Sequence, residues 1–171
     1  MAILQTSDFT GEFKVSKTRF TDLDKYISKY EEHYLVRLLG ADLYALFIAD
    51  LTVGTPQTPQ AARFKKIYDP FNSIPTFTTL VISEGIKKML IQFVYFHYIR
   101  DSSTFNTVVG TVSSDNENAS KVTPNAFNLI EAYNLAVTTY QSIQCYLVEE
   151  EQDYPELINS YFDHLQVTSG I

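Results

Sequence analysis

One segment of the 171-residue sequence, Glu84 to Arg100, predicts a helix that is apolar on almost every side, and this feature constrains the fold most. Ser83 stands before it in the position of a helix cap. A helix without a polar face has to be surrounded by other elements of the chain. Its most apolar stretch, Met89 to Ile99, is shorter than the roughly 20 residues that cross a bilayer. We therefore predict a buried central helix in a soluble protein with no membrane partner.

The stretch from Tyr30 to Phe47 predicts two helices separated by a glycine. Before Gly40, apolar residues recur at steps of three and four on one face of a helix that Thr21 or Asp22 can cap. Gly40 itself suits the left-handed conformation that ends many helices, and a shorter helix is predicted to run from there to near Gly54. The apolar residues of the two faces are Leu23, Ile27, Tyr30, Tyr34 and Leu38, then Leu43, Phe47 and Leu51. The charged residues of this stretch are predicted to face solvent: Glu31, Glu32, Arg37 and Asp42.

The remaining periodic segments are also mostly helical. Residues 61–68 predict a short helix, and residues 69–83 an extended segment that lies over the core. Pro124 suits the first turn of a long helix that continues to about Val148, and Pro155 opens a last helix. The fold class predicted from the sequence is therefore mainly α.

Residues 102–123 form the longest polar interruption, but within them TVVGTV places strand-forming residues around a glycine. We therefore expect a compact helical bundle with a long extended loop or β-hairpin between the central helix and the long C-terminal helix. The predicted domain covers residues 21–165. Residues 1–20 are predicted to form an N-terminal arm, extended or paired as an edge strand, and residues 166–171 a C-terminal tail.

Composition excludes some classes of function. The sequence has 13 basic and 20 acidic residues, a net charge of −7, whereas general nucleic-acid binding needs a basic surface. Twelve Tyr and twelve Phe suit either a core or a protein interface. Cys145 is the single cysteine, so no intrachain disulfide can form, and a buried thiol in a reducing compartment is expected. The N-terminal residues lack the pattern of a signal peptide.

The sequence offers little support for catalysis. The three histidines are isolated from one another, His97 is expected to be a hydrogen-bonded core residue, and no phosphate-binding glycine motif is present. We predict no cofactor, no metal and no enzymatic activity. One acidic cluster near the end of the long helix consists of Glu149, Glu150, Glu151 and Asp153. It is interpreted as a solvated turn, or as a patch that meets a basic partner or lines a negatively charged passage.

Three segments together carry a resemblance to a known family. They are YEEHYLVRLLGADLYALF (30–47), EGIKKMLIQFVYFHYIRDSS (84–103) and NAFNLIEAYNLAVTTYQSIQCYLVEEEQDYPEL (125–157). Their order is a helix ending in two leucines and glycine, an aromatic helix closed by Arg-Asp, a polar loop, and a long Tyr-rich helix. This resembles the head–tail connector (adaptor or ring) proteins of tailed phages, especially those of Bacteroidetes-infecting and crAss-like phages. The first twenty residues do not match the family.

The resemblance implies a structural virion protein made in the bacterial host cytoplasm and placed at the head–tail junction. Such subunits form a homo-oligomeric ring, usually of about twelve copies, that links the portal protein to tail components. The ring extends the channel through which genomic DNA passes without specific binding. Under this reading, the loop residues Phe105, Val108, Val109, Gly110 and Val112 are candidates for contact between subunits. The acidic cluster becomes a candidate channel or partner patch.

Two alternatives from other classes remain open at the level of sequence. The chain could be a small helical protein-binding module or regulator, monomeric or dimeric, with no virion role. It could also be a small helical enzyme that uses the acidic cluster as its site.

Overall fold

The computed structural model describes residues 3–15, 20–54, 56–73, 80–102, 104–107, 110–113, 126–159 and 165–167. Its four α-helices are α1 (Phe20–Asp50), α2 (Ala62–Tyr68), α3 (Gly85–Ser102) and α4 (Ala126–Glu149). Its four strands are β1 (Phe71–Ser73), β2 (Val81–Ser83), β3 (Thr104–Thr107) and β4 (Gly110–Ser113). Short 3₁₀ helices cover Thr6–Asp8, Gly11–Phe13 and Pro155–Asn159. The predicted mainly α fold, with a hairpin between the central and the long C-terminal helix, is confirmed.

Helix α3 is the centre of the fold, as its apolar circumference predicts. It packs against α1, α2 and α4. Ten of its residues are buried, and they lie on all sides of the helix: Gly85, Ile86, Met89, Leu90, Ile91, Gln92, Phe93, Val94, Phe96 and Tyr98. The hydroxyl of Ser83, the last residue of β2, accepts a hydrogen bond from the amide of Gly85, where α3 begins, at 3.1 Å.

Helices α3 and α4 run antiparallel. Phe96, near the end of α3, contacts Tyr133, near the start of α4, with ring centroids 4.9 Å apart. At the other end, strand β2 leads into α3 and packs against α4, and Phe71 of β1 lies 4.8 Å from the ring of Tyr146. Strands β1 and β2 pair antiparallel, with Phe71 opposite Ser83. The segments before α3 and after α4 therefore meet at one end of the helix pair.

Helix α1 breaks at Gly40, where φ is 71° and ψ is 170°. This region of backbone conformation is open almost only to glycine. Three residues before the break, the carbonyl of Arg37 accepts a hydrogen bond from the hydroxyl of Tyr140 on α4 at 2.8 Å, which joins the two helices at this point. The predicted apolar faces before and after Gly40 are both buried. The helix begins at Phe20, so Thr21 and Asp22 lie within its first turn rather than capping it.

Gly85 allows α2 and α3 to approach closely. Its φ is +81°, and an added Cβ would lie 2.5 Å from the carbonyl oxygen of Tyr68 at the end of α2. No side chain fits at that distance. The start of the central helix is therefore fixed against the end of α2 by backbone contact.

The prediction of an extended arm or edge strand at the N-terminus is wrong for residues 3–15. This segment forms two 3₁₀ turns and lies in the core. Ion pairs join it to α3, Asp8 to Lys87 at 2.8 Å and Glu12 to Lys88 at 3.4 Å. Its buried apolar residues are Ile3, Leu4, Phe9, Phe13 and Val15. Their spacing follows neither helix nor strand periodicity, because contacts with α1 and α3 determine which side chains point inward.

Two smaller predictions can also be compared with the fold. Pro155 opens a helix, as predicted, and the described part of it, Pro155–Asn159, is a 3₁₀ helix. Of the predicted tail, residues 166 and 167 are described, and both are exposed. Among the described helices, none combines the length and the apolarity needed to cross a membrane.

Candidate functional site

The predicted inter-subunit loop forms a β-hairpin directly after α3. Strands β3 and β4 pair antiparallel, with Phe105 opposite Val112 and Thr107 opposite Gly110. Val108 and Val109 of the predicted set lie outside the described residues. Because β3 follows α3 so closely and contacts it, the hairpin starts at the end of the helix pair where α4 begins.

The predicted acidic cluster forms the turn that ends α4. Glu149 is the last residue of the helix, and the amides of Asp153 and Tyr154 donate to the Glu150 carbonyl at 2.9 and 3.2 Å. Tyr154 anchors the turn, since it is fully buried and its hydroxyl donates to the Arg63 carbonyl on α2 at 2.7 Å. Glu151 and Asp153 point into solvent. The buried side of the turn is therefore fixed by Tyr154, and its exposed side carries carboxylates.

Two cations of α2 lie beside this turn, so the net negative charge around it is smaller than the four acidic residues alone would give. Arg63 donates to the Asp153 carbonyl at 2.9 Å and to both carboxylate oxygens of Glu156 at 3.2 Å. The Lys66 ammonium lies 4.9 Å from the centre of the Tyr146 ring. A hydrogen bond with the Tyr146 hydroxyl, together with the nearby carboxylates, raises the pKa of Lys66. Within the cluster, Glu151 and Asp153 are exposed, whereas Glu149 and Glu150 are partly buried.

The structure does not bring the two predicted sites together. The hairpin starts where α3 ends and α4 begins, whereas the acidic turn follows the other end of α4. Helix α4 has 24 residues, a length of about 36 Å at 1.5 Å per residue. The two sites therefore belong to opposite ends of the α3–α4 pair.

Between these ends, α4 presents an outer face that carries almost no charge. Seven residues of α4 are exposed, at steps of three and four: Asn128, Glu131, Leu135, Thr138, Gln141, Cys145 and Val148. Glu131 is the single charged residue among them. Leu135 is 41% and Val148 53% exposed. We call these seven residues the outer face of α4.

Cys145 lies on this outer face, so the prediction of a buried thiol is wrong. It stands four residues after Gln141 and three before Val148, both of which are exposed. Its thiol is 3.6 Å from a carboxylate oxygen of Glu149. Partial burial and the neighbouring Glu149 carboxylate raise the pKa of the thiol.

A second outward surface of low charge lies on α1 after the break. Five residues of this half are exposed: Ala41, Asp42, Ala45, Leu46 and Ala49. Three alanines at steps of four form a shallow strip, and Leu46 beside them is 41% exposed. We call these five residues the alanine face of α1. Sequence reasoning identified neither this face nor the outer face of α4, although the scarcity of charges in both segments was visible.

Glu31 was predicted to face solvent, and this is wrong, because the side chain is fully buried. One carboxylate oxygen accepts a hydrogen bond from the Leu4 amide, while the other receives none from the described part of the chain. Burial raises the pKa of Glu31 to about 7, against the opposing effect of hydrogen bonds from the Leu4 and Ile3 amides. The signal was present in the sequence, since Glu31 lies four residues after Ile27 on the apolar stripe.

His97 is hydrogen-bonded, as predicted, but it is partly buried and lies at the edge of the core. Its Nε2 shares a hydrogen bond of 2.7 Å with the Tyr34 hydroxyl, and its ring stacks on Tyr30 with centroids 3.9 Å apart. Burial, followed by the neighbouring Arg100 guanidinium, lowers the pKa of His97 to about 4. Tyr34 also stacks on Phe93, with centroids 3.7 Å apart. These contacts join the first half of α1 to α3, which is a structural role.

The described residues contain no group of three or more His, Cys, Asp or Glu side chains placed to hold a metal ion. The chain matches no protein-family model, and no curated protein or solved structure is significantly similar to it. Its function has therefore to be argued from the sequence resemblance and from the surfaces described above.

Proposed function

We propose that this chain is the subunit of a head–tail connector ring in a tailed phage, which links the portal to the tail and extends the DNA channel. One observation carries the proposal. The three segments on which the resemblance depends fold as α1, α3 and α4, and the hairpin lies between α3 and α4 where the resemblance implies a projecting loop.

The surface of the subunit supports assembly. A ring is built from one repeated heterologous contact, so each subunit needs two different surfaces that fit each other. The outer face of α4 and the alanine face of α1 are two exposed surfaces of low charge on different elements, and each is a candidate for such a contact. The hairpin β3–β4 adds a third element available for contact with a neighbour or with the portal.

The charge of the subunit supports passage of DNA without binding. Phosphates are repelled by a surface of like charge, so a ring of subunits that each carry −7 would let DNA slide. Glu151 and Asp153 are exposed and suit a position at the channel or at a basic partner. Arg63 and Lys66 reduce the local charge beside them, which favours the partner surface over the channel wall.

Mass spectrometry of purified virions from a phage that encodes this chain tests the proposal. We expect to detect the protein in the particles at about the same copy number as the portal protein. When heads and tails are separated, we expect it to remain bound to the portal or to the tail components. A monomeric binding module or regulator would be present in infected cells and absent from washed particles. Absence from the particles would contradict the proposal.

A further inference from the structure

The N-terminal segment, residues 3–15, is attached to the rest of the fold mainly through side chains. The backbone hydrogen bonds of its two 3₁₀ turns stay within the segment. Among the described residues, the hydrogen bonds that its backbone makes to another element all end at one side chain, that of Glu31 on α1. A segment that pairs with no helix or strand can open while the rest of the chain stays folded.

The second turn of the segment is fixed on α3 by contacts of its own. The ring of Phe13 meets that of Tyr95 edge-on, with centroids 5.4 Å apart. The Lys88 ammonium lies 4.6 Å from the centre of the Phe13 ring and 3.4 Å from a carboxylate oxygen of Glu12. These contacts do not involve Glu31, so this turn should stay in place when the hydrogen bond to Glu31 is broken.

Gly11 separates the second turn from the residues that Glu31 holds. It is exposed, its φ is 61°, and nothing lies within 4 Å of an added Cβ. The backbone can therefore change direction at Gly11 without a clash. Before Gly11, residues 3–9 are held by the hydrogen bond to Glu31, by the ion pair of Asp8 with Lys87 at 2.8 Å, and by burial of three apolar side chains.

Few charges face Glu31 from the elements around it. They are the carboxylate of Asp8, which Lys87 of α3 partly balances, and the amino group at the N-terminus. Two hydroxyls also interact with Glu31, those of Tyr44 on α1 and Tyr68 on α2. Burial raises the pKa of Tyr68 to about 12 and also raises that of Tyr44, so both are neutral around pH 7.

The charged form of Glu31 is therefore poorly stabilised where it lies. The side chain is fully buried, and while one oxygen accepts from the Leu4 amide, the other has no partner in the described part of the chain. A buried carboxylate that lacks partners is costly, and the neutral acid is much less so. Moving residues 3–9 away would let water reach the carboxylate and would remove this cost.

We propose that residues 3–9 form a latch controlled by the proton on Glu31, closed when Glu31 is neutral and opening about Gly11 when Glu31 is charged. Opening exposes three apolar side chains and the part of α1 and α3 that they cover, while the second turn stays on α3. All of these contacts lie within one chain. The latch would therefore operate in a monomer as well as in a ring, whatever the function of the chain.

The direction and size of the effect follow from the two states of Glu31. The closed latch raises the pKa of Glu31 from 4.5 to about 7, so the closed state is fully favoured below pH 4.5 and loses stability as the pH rises through 7. If opening restores the ordinary pKa, the opening equilibrium changes by about 300-fold in total. Between pH 5.5 and 8.5 the change is about 30-fold.

Amide hydrogen exchange followed by NMR measures the opening. The Phe9 amide, bonded within the first turn, reports on the latch, and the Phe13 amide, bonded within the second, is an internal control. The wild type is compared with Glu31→Gln at each pH, so that the intrinsic pH dependence of exchange cancels. For Phe9, the ratio of wild-type to variant rate should rise about 30-fold between pH 5.5 and 8.5 and level off above pH 7.5. For Phe13 it should stay constant.

Two further variants serve as controls. Glu32→Gln changes the adjacent carboxyl group, which is exposed, and should exchange like the wild type at every pH. Lys87→Gln breaks the ion pair with Asp8 and leaves Glu31 in place, so Phe9 should exchange faster at every pH with the same pH dependence. If Glu31→Gln does not fold, the ratio of the Phe9 to the Phe13 rate within the wild type gives the same pH dependence.

The remaining outcomes decide against the latch. A Phe9 ratio that does not change with pH would contradict control by Glu31. An equal rise at Phe9, at Phe13 and at Phe93, which is fully buried in α3, would mean that Glu31 acts on unfolding of the whole chain, and the latch would be overturned. Absence of the protein from virions would overturn the proposed function and leave the latch in place.

Discussion

The two halves of α1 share one core but present different surfaces to the outside. Before Gly40, the exposed side carries Asp22, Asp24, Lys25, Lys29 and Glu32, interspersed with three uncharged residues. After Gly40, the exposed side is the alanine face, with Asp42 as its single charge. The inner sides also differ, since the first half stacks aromatic rings on α3 and buries Glu31, whereas the second half buries Leu43 and Phe47.

This difference indicates what each half is for. Charges on an exposed helix favour solvation and keep neighbouring molecules apart, so the first half belongs to the water-facing surface. The side chains of a strip of small apolar residues form no hydrogen bonds with water, and their small size permits close approach of another helix. Because Gly40 separates the halves, the chain can direct them to different surroundings. The following predictions test this contrast, from the largest expected effect to the smallest.

The largest effect should come from the inner side of the second half. Phe47→Ala removes a fully buried ring that packs edge-on against Phe64, and should lower the free energy of unfolding by about 3–5 kcal/mol. Leu46→Ala, one residue earlier and on the alanine face, should change it by less than about 0.5 kcal/mol. Urea titration followed by circular dichroism measures both. Similar losses in the two variants would show that the face is part of the core.

The buried carboxylate of the first half should give a pH-dependent effect. Folding raises the pKa of Glu31 from its ordinary value of 4.5 to about 7, so its contribution is fully present below pH 4.5 and is lost as the pH rises through 7. That loss amounts to at most about 3 kcal/mol. The partly buried His97 has the opposite dependence, because its pKa is lowered to about 4 and stability is lost as the pH falls from 6.5 towards 4.

The difference between the wild type and Glu31→Gln isolates the Glu31 effect, since both proteins contain His97. The free energy of unfolding of the variant, relative to the wild type, should rise between pH 4.5 and 7 and level off above. A constant difference across that range would mean that the carboxylate is exposed to solvent in the folded protein.

The break between the halves should tolerate only glycine. Gly40→Ala places a side chain at φ 71° and ψ 170°, which costs of the order of 1–3 kcal/mol. Gly11→Ala is the matched control, since the φ of Gly11 is also positive, at 61°, and nothing lies within 4 Å of an added Cβ; a cost of about 1 kcal/mol is expected there. Thermal unfolding of the three proteins compares the costs. Equal stability of Gly40→Ala and the wild type would show that α1 continues through residue 40 without a break.

The smallest effect should come from the charged side of the first half. Lys25 and Asp22 form an ion pair of 3.4 Å, with side chains 79% and 69% exposed. Lys25→Ala should change stability by less than about 0.5 kcal/mol, because solvent screens such pairs. It should also leave assembly unchanged, as measured by sedimentation velocity. Loss of assembly in this variant would show that the part of α1 before Gly40 contacts another subunit, and the two halves of α1 would then not differ in this respect.

Regular periodicity made most of the helices predictable from sequence. The apolar circumference of 84–100 located the central helix, Gly40 located the break, and TVVGTV indicated the hairpin. The segment 3–15 was missed because its conformation depends on partners far along the chain, such as Lys87 and Lys88. Local pattern contains no information about such contacts.

Two errors at the candidate site have one origin, which is that residue type was given more weight than helical position. Glu31 lies midway between Ile27 and Leu35 on the buried stripe, yet its charge suggested solvent. Cys145 lies on the exposed side, yet the usual burial of cysteine suggested the core. The low charge of the outer face of α4 was legible in the sequence, but which side of a nearly uncharged helix points outward is decided only by the packing on α3.

A reconstruction of the virion neck by electron microscopy tests the central claim most directly. The account predicts a ring of this subunit below the portal, in which each copy contacts its neighbours through two different surfaces. It further predicts that the charged side of the first half of α1 faces solvent. A neck without this protein, or a ring in which the charged side of the first half of α1 is buried between subunits, would contradict it.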